Sequence, residues 1–183
     1  MLPKLIVCLT GMPGAGKSTI ASGLQQKGFT SINMGDAVRS EAKRRNLEPT
    51  GQNLGKLMLD LREKNGQGAV AELIKDQIIN SKSDVVIIDG VRSNAEIEVL
   101  KKIATVKLLA IHASTNTRFN FLTVRARSDD PHDRTMFDER DSREIGVGIS
   151  ASIALADETI SNNNLTVSEL IDTAYDLIQK WLK

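Results

Sequence analysis

Eight consecutive residues, Gly11-Met12-Pro13-Gly14-Ala15-Gly16-Lys17-Ser18, fit the pattern G-x-x-x-x-G-K-[ST] in full. The chemistry such a run can do is to grip a polyphosphate. Glycines let the backbone bend until successive N–H groups point at one anion. A helix beginning at Lys17 adds the positive end of its dipole. Lys17 contributes a mobile charge for the β- and γ-phosphates, and Ser18 a hydroxyl for Mg²⁺. Together with Thr19 these residues form the expected site for a nucleoside triphosphate. A glycine-rich turn between a strand and a helix is the plain alternative. At average residue usage the four specified positions meet by chance in roughly 1 chain of this size in 100, so binding is the preferred reading.

A carboxylate stands in a complementary place. Asp89 ends the apolar run Val85-Val86-Ile87-Ile88 and so falls at the carboxyl edge of a strand. Ligands of open α/β sheets bind at that edge. Asp89 is therefore expected to help hold Mg²⁺ with Ser18, usually through water, because Mg²⁺ dehydrates reluctantly. An Asp-Gly turn that only ends a strand is the alternative.

Arginines supply the third signal. Residues 118–143 hold six of the eleven arginines (Arg118, Arg125, Arg127, Arg134, Arg140 and Arg143) and none of the thirteen lysines. Guanidinium forks bind phosphate oxygens in pairs, whereas lysine is a point charge. Asp129, Asp130, Asp133, Asp138, Glu139 and Asp141 lie among them. Residues 125–144 are thus read as a short lid whose arginines rest on acidic partners until phosphate competes for them. Arg125 is expected at the donor, and Arg127 and Arg134 at the transferring group. The alternative is a solvated face of ion pairs, each worth about 0–1 kcal/mol. An acceptor carrying its own phosphate must approach an anionic donor. Arg39 and Arg92 can neutralise it and fix it in line, with Arg92 also acting on the reacting group. The alternatives are a surface helix residue for Arg39 and a plain loop residue for Arg92. Asp36 is a candidate base for a hydroxyl acceptor, or else a helix N-cap.

The elements that must position these groups can be read from periodicity. Leu5-Ile6-Val7-Cys8-Leu9 suits a strand buried on both faces, followed by a helix from Lys17 to Lys27 that Gly28 stops. Phe29–Asn33, Asp84–Asp89, Val106–Ile111 and Thr159-Ile160 read as further strands. Residues 35–80 read as two or three short helices lying over the sheet, the last at about 68–80. Helices are expected over 95–102, 117–124 and 149–156. The last helix repeats apolar residues at i, i+3, i+4 and i+7 from Val167 to Leu182. His112 is expected to be packed and His132 solvated. Cys8 reads as an inert core residue, and Tyr175 and Trp181 as core. Strands alternating with helices predict a doubly wound, mostly parallel sheet.

Composition narrows the class. The chain has 183 residues, 40% hydrophobic and 26% charged, with net charge +1. That suits one folded domain of residues 1–183. A single cysteine excludes an intramolecular disulfide framework and a multi-thiolate zinc site. No apolar run approaches 18 residues, and no signal-like stretch opens the sequence, so a cytoplasmic protein with no membrane partner is expected. Near-neutral charge argues against a nucleic-acid partner held by bulk basicity. The helical segment 51–80 offers a surface on which a homodimer can pair.

These residues resemble the P-loop nucleotide kinases, adenylate kinase and its relatives in particular, over nearly the whole chain. Asn33-Met34-Gly35-Asp36-Ala37-Val38-Arg39 is similar to that family's strand-end Gly-Asp-x-x-Arg segment, whose arginine binds the acceptor phosphate. Asp89-Gly90-Val91-Arg92 is similar to its Asp-Gly-Phe-Pro-Arg segment, and Arg125-Ala126-Arg127-Ser128-Asp129-Asp130 to the start of its lid. Ala156–Asn162 looks like the last strand and turn of dephospho-coenzyme A kinases, a turn that lies close to the donor base. The combination is similar to an archaeal family described as adenylate kinase-like or dephospho-coenzyme A kinase-like.

The resemblance implies a three-layer α/β P-loop domain. It implies five parallel strands in the order 2-3-1-4-5, a helical acceptor-binding insert at about 35–80 and a lid at about 125–144. It also implies an ATP- and Mg²⁺-dependent kinase for a nucleoside monophosphate, dephospho-coenzyme A or another small phosphorylated acceptor. The phosphate-binding skeleton carries over. Acceptor-base recognition does not, because Val91 replaces Phe-Pro and Ser93-Asn94 follow Arg92 without the usual glutamine. The competing class is a nucleotide-hydrolysing switch or assembly factor without a small acceptor. The base-reading motif of such GTPases, N/T-K-x-D, is absent from the sequence.

Overall fold

The computed structural model describes residues 2–127 and 130–183. Leu5–Thr10 forms β1 and is buried at every position, as a strand flanked and covered on both sides must be. It pairs in parallel with β3 (Val85–Asp89) on one side and β4 (Thr105–His112) on the other. β2 (Thr30–Asn33) lies outside β3, and β5 (Glu158–Ser161) outside β4. The order β2-β3-β1-β4-β5, parallel throughout, is the expected one. The register brings Leu9 and Asn33 opposite Asp89, one on each side, at the carboxyl edge of the sheet.

Alternate residues of each strand face opposite sides of the sheet. Ile6, Cys8, Val86, Ile88 and Leu108 join one core. That core is covered by α2 (Met34–Arg44), α3 (Gly51–Asn65), α4 (Ala69–Glu72), α5 (Lys75–Asn80) and α6 (Asn94–Lys101). Leu5, Val7, Leu9, Val85, Ile87 and Leu109 join the other, under α1 (Lys17–Gln26) and α10 (Val167–Trp181). These layers make the three-layer α/β architecture. In α10 the buried positions are Leu170, Ala174 and Ile178. Full burial of a leucine or isoleucine contributes about 1.5–3 kcal/mol, enough to dock this terminal helix. A capping box between Thr166 and Glu169 fixes where it starts.

The structure departs from the sequence expectation in three places. Between β2 and β3 there are four helices rather than two or three. α3 is a 15-residue helix capped by Thr50, and the single helix expected at 68–80 is broken between Glu72 and Lys75. The expected lid is largely ordered as a helix. α7 (Thr115–Arg125) is followed by α8 (Arg134–Val147) and α9 (Ile149–Ala154). Within α8 Phe137 is fully buried, edge-on to Phe119, and anchors a helix whose other residues are mostly polar. Ser128 and Asp129 of the expected lid lie outside the described residues. His112, expected to be packed, is exposed, because it is the last residue of β4 and lies beyond the covering helices; His132 is exposed as expected. Cys8 is buried, and burial pushes its thiol far above the usual range, which suits an inert core residue. Among the described residues no helix is long and apolar enough to cross a membrane.

Candidate active site

β1 delivers the glycine loop to the carboxyl edge of the sheet. Gly11, Gly14 and Gly16 all have positive φ (141°, 82° and 110°). At Gly14 the requirement is double: a Cβ there would lie 2.6 Å from the main-chain oxygen of Arg118, so α7 could not pack so closely. The Lys17 ammonium donates to the carbonyls of Gly11 (2.6 Å) and Met12 (3.1 Å). Burial lowers its pKa to about 8; Asp89 and Glu144 oppose that shift, and Arg92 and Arg140 reinforce it.

Ser18 Oγ donates to Asp89 Oδ2 at 2.8 Å, and Asn33 Nδ2 donates to the same oxygen at 2.8 Å. The Asn33 contact follows from strand register. Asp89 is only 2% exposed. A hydroxyl and a carboxylate this close, at the mouth of the glycine loop, are hard oxygen donors of the kind Mg²⁺ takes. The pair expected to manage the metal is therefore brought together.

Two groups brace the loop that sequence reasoning placed elsewhere. Asn162, just after β5, donates from Nδ2 to the carbonyl of Ala15 at 2.9 Å and is 5% exposed. Arg118, grouped by sequence with the lid arginines, is buried. It donates to the carbonyl of Pro13 (3.0 Å) and makes a bidentate pair with Asp141 of α8 (2.9 and 2.5 Å). Its guanidinium also lies over the Phe137 ring. Nothing local marks either role. Both partners are distant in sequence, and the only available signal was the Asn-rich turn at 162–164.

The loop opens into a cleft of about 660 Å³, a size typical of sites that enclose a small ligand. Of the expected site residues, Gly11, Pro13, Gly14, Gly16, Lys17, Ser18, Thr19, Asp89, Arg39, Arg92, Arg125 and Arg127 line it. Arg140 and Glu144 line it too, and sequence reasoning gave neither a specific role. One end is apolar. Phe121, Val124 and Val167 remain 44%, 85% and 62% exposed there, beside Leu165. The flat face of a nucleobase can bury that surface.

The other end is cationic. Arg92 donates its main-chain N–H to Glu96 Oε2 (2.7 Å) and its Nε to Glu144 Oε2 (2.6 Å). Glu144 sits next to it and holds its pKa above the ordinary arginine value. Burial pushes the Glu144 carboxyl up, but Arg92, Arg140 and Lys17 bring it below the usual range, so it is ionised at neutral pH. Glu96 is itself fixed by Arg62 of α3 at 2.9 Å, a pair 4% and 0% exposed that ties the helical insert to the Arg92 loop. Arg39 bonds Asp36 at 2.7 Å. Asp36 stays on the exposed rim and is not the N-cap of α2; that role belongs to Asn33, whose side chain accepts from the Asp36 N–H. Asp130, 3% exposed, accepts from the guanidinium of Arg125, the main chain of Arg127 and the guanidinium of Arg140. This is the acid-held arrangement expected of the lid. Arg134 departs from expectation. It lies over the rings of Phe119 and Phe137 and bonds Asn116, outside the cleft lining.

The geometry agrees with known proteins in two ways. A family model described as "AAA domain" matches residues 10–136. The chain is 40% identical to a UPF0200 protein of Hyperthermus butylicus, over 97% of this chain and 95% of the relative. It is 40% identical to another from Pyrococcus abyssi (87% and 88%), and 38% identical to one from Methanopyrus kandleri (98% and 91%). Among solved structures, TT1252 from Thermus thermophilus superposes with a TM-score of 0.69 at 15% identity, covering 100% of both chains. A shikimate kinase from Acinetobacter baumannii in complex with shikimate gives 0.62 at 15% identity, covering 98% of this chain and 94% of the kinase. At such identity these structures establish a common fold, that of the P-loop kinases.

Proposed function

We propose a function from the premise that this chain belongs to the UPF0200 family and carries an AAA domain. The reading is an ATP-dependent phosphotransferase for a small anionic acceptor. The resemblance implies a nucleoside monophosphate or dephospho-coenzyme A type, and the structural neighbours include kinases of shikimate and of a sugar. One observation carries the proposal: a single cleft joins a triphosphate cradle (Lys17, Ser18, Asp89) to a cluster of guanidiniums (Arg39, Arg92, Arg140). A switch that only hydrolyses nucleotide has no use for the second half of that cleft.

Loop amides and Lys17 hold the β- and γ-phosphates. Ser18 and Asp89 would hold Mg²⁺, which when bound neutralises charge across the β- and γ-oxygens. Arg39 and Arg92 hold the acceptor's anionic group in line. An acceptor oxygen bonds to the γ-phosphorus while its bond to the bridging oxygen breaks, and ADP leaves with that electron pair. A phosphate oxygen is already anionic and needs no base. For a hydroxyl, a carboxylate takes the proton; Asp36 on the rim is the candidate base, since Glu144 in the cleft, despite its burial, is held below the usual carboxylate range by Arg92. Arg125 and Arg127 cover the group in transit and exclude water. Incubation with γ-labelled ATP, Mg²⁺ and a panel of small anions tests the reading. Acceptor-stimulated transfer of label is expected, and hydrolysis unaffected by any small acceptor would refute it.

A further inference from the structure

A smaller recess of about 70 Å³ shares Arg39, Arg92, Arg140 and Glu144 with the main cleft and is lined by α2, α3, the Arg92 loop and α8, where Arg143 is exposed. Its polar lining consists of guanidiniums and one carboxylate. Among the described residues it has no aromatic ring, carboxamide or hydroxyl. The fourth guanidinium, Arg143, makes no hydrogen bond or ion pair among the described residues, although carboxylates contact each of the other three. Gly55 faces it from within α3: a Cβ at that position would lie 3.0 Å from Arg143 Nη1. Glycine inside a helix costs about 0.5–1 kcal/mol relative to alanine, and a Cβ here would press on the tip of the exposed Arg143 side chain and shift it by a few tenths of an ångström.

The chemistry of this recess selects its occupant. The edge of a nucleobase presents donors and acceptors side by side, whereas the recess meets its occupant with four guanidiniums, donors only, and with one carboxylate, Glu144, that Arg92 already holds. Forked donors suit the paired oxygens of a carboxylate or phosphate.

We propose that Arg143, facing Gly55, forms with Arg140 a second oxyanion-holding point beside Arg39 and Arg92. The acceptor is then a compact aliphatic molecule with at least two anionic groups, carboxylate or phosphate, and not a nucleotide. This rests on the phosphotransferase reading above and narrows it.

The test is γ-labelled ATP with three sets of acceptors. The first is malate, tartrate and 2- and 3-phosphoglycerate, where carboxylate and phosphate are compared directly. The second is the monoanions lactate and glycerate. The third is AMP, CMP, GMP, UMP and dephospho-coenzyme A. Transfer to at least one compact multi-anion is expected, with kcat/KM at least tenfold above every monoanion and nucleotide. Arg143→Met should lower that value about tenfold and lower the monoanion value less than threefold. Gly55→Ala should lower it about threefold while raising Tm, which separates the effect from unfolding. A nucleotide as best acceptor overturns the inference and leaves the phosphotransferase reading standing. ATP hydrolysis with no transfer to any acceptor overturns both. Equal losses on both acceptor kinds in Arg143→Met remove Arg143 from the site.

Discussion

On the phosphotransferase proposal, the groups that would grip phosphate at the donor end of the cleft belong mostly to the main chain of residues 11–18. They are held by the positive φ of three glycines, by Asn162 on Ala15 and by Arg118 on Pro13. At the acceptor end they are the side chains of Arg39, Arg92, Arg140 and Arg143, carried on α2, the loop after β3, and α8. Three of these four lean on carboxylates: Asp36, Glu144 and Asp130. The donor grip is thus built into the backbone, while the acceptor grip is balanced charge against charge. A main-chain cradle tolerates few substitutions and reads one ligand feature, a run of phosphates. A set of buttressed guanidiniums can be retuned one residue at a time, so specificity should reside there.

The largest expected effect tests the donor end. Lys17→Ala removes the one side-chain cation within the cradle and should lower kcat/KM for ATP by on the order of 10²–10³, as loss of a preorganised charge-stabilising donor does. Circular dichroism should be unchanged and Tm should not fall, since burying that ammonium costs stability at neutral pH. A loss under tenfold would mean that main-chain amides alone carry the grip, which would make the donor end still more a property of the backbone.

An intermediate effect tests whether the two ends are independent. Arg118 touches both, through Pro13 in the loop and Asp141 in α8. Arg118→Met leaves Asp141 without its bidentate partner, a loss of about 1–3 kcal/mol in stability, measurable by denaturant unfolding. It should also raise the KM for ATP about tenfold. Adding Asp141→Asn should recover part of the stability but not the KM. If KM does not move in either variant, the loop holds its shape without α8, and the two ends are mechanically separate.

The same contrast decides which features the amino-acid sequence reveals. The strand order, the cradle and the Ser18–Asp89 pair are legible, because each depends on short-range pattern: apolar runs, glycine spacing, a carboxylate at a strand end. Arg39 and Arg92 are legible through the segments around them. What is hidden depends on contacts far apart in sequence. Asn162 meets Ala15 across 147 residues, and Arg118 meets Pro13 across 105. α8 is obscured by its own composition, since only Phe137 and Glu144 are buried along its length and no apolar stripe announces a helix. Arg134 is misplaced for a related reason. Charge density marks arginines as a group, but an aromatic neighbour decides which one packs on rings instead of facing the cleft.

The smallest expected effect separates the two ends by pH. Lys17 in the folded chain has its pKa lowered by burial to about 8, from 10.5. Between those values the unfolded chain binds a proton that the folded chain has released, so this lysine makes stability rise with pH across that interval. Ligand binding runs the other way. Triphosphate favours the charged ammonium, so affinity for ATP should be flat below about pH 7.5 and then fall, by at most tenfold per pH unit. Binding above pH 8 should take up about one proton, visible by calorimetry in buffers of different ionisation heat. Guanidiniums stay charged throughout this range, so the KM of an anionic acceptor should not change between pH 7.5 and 9.5. Lys17→Arg should remove the slope in ATP affinity. A parallel slope in acceptor KM would mean that a titrating group also serves the acceptor end, and the division between a backbone cradle and a guanidinium clamp would have to be redrawn.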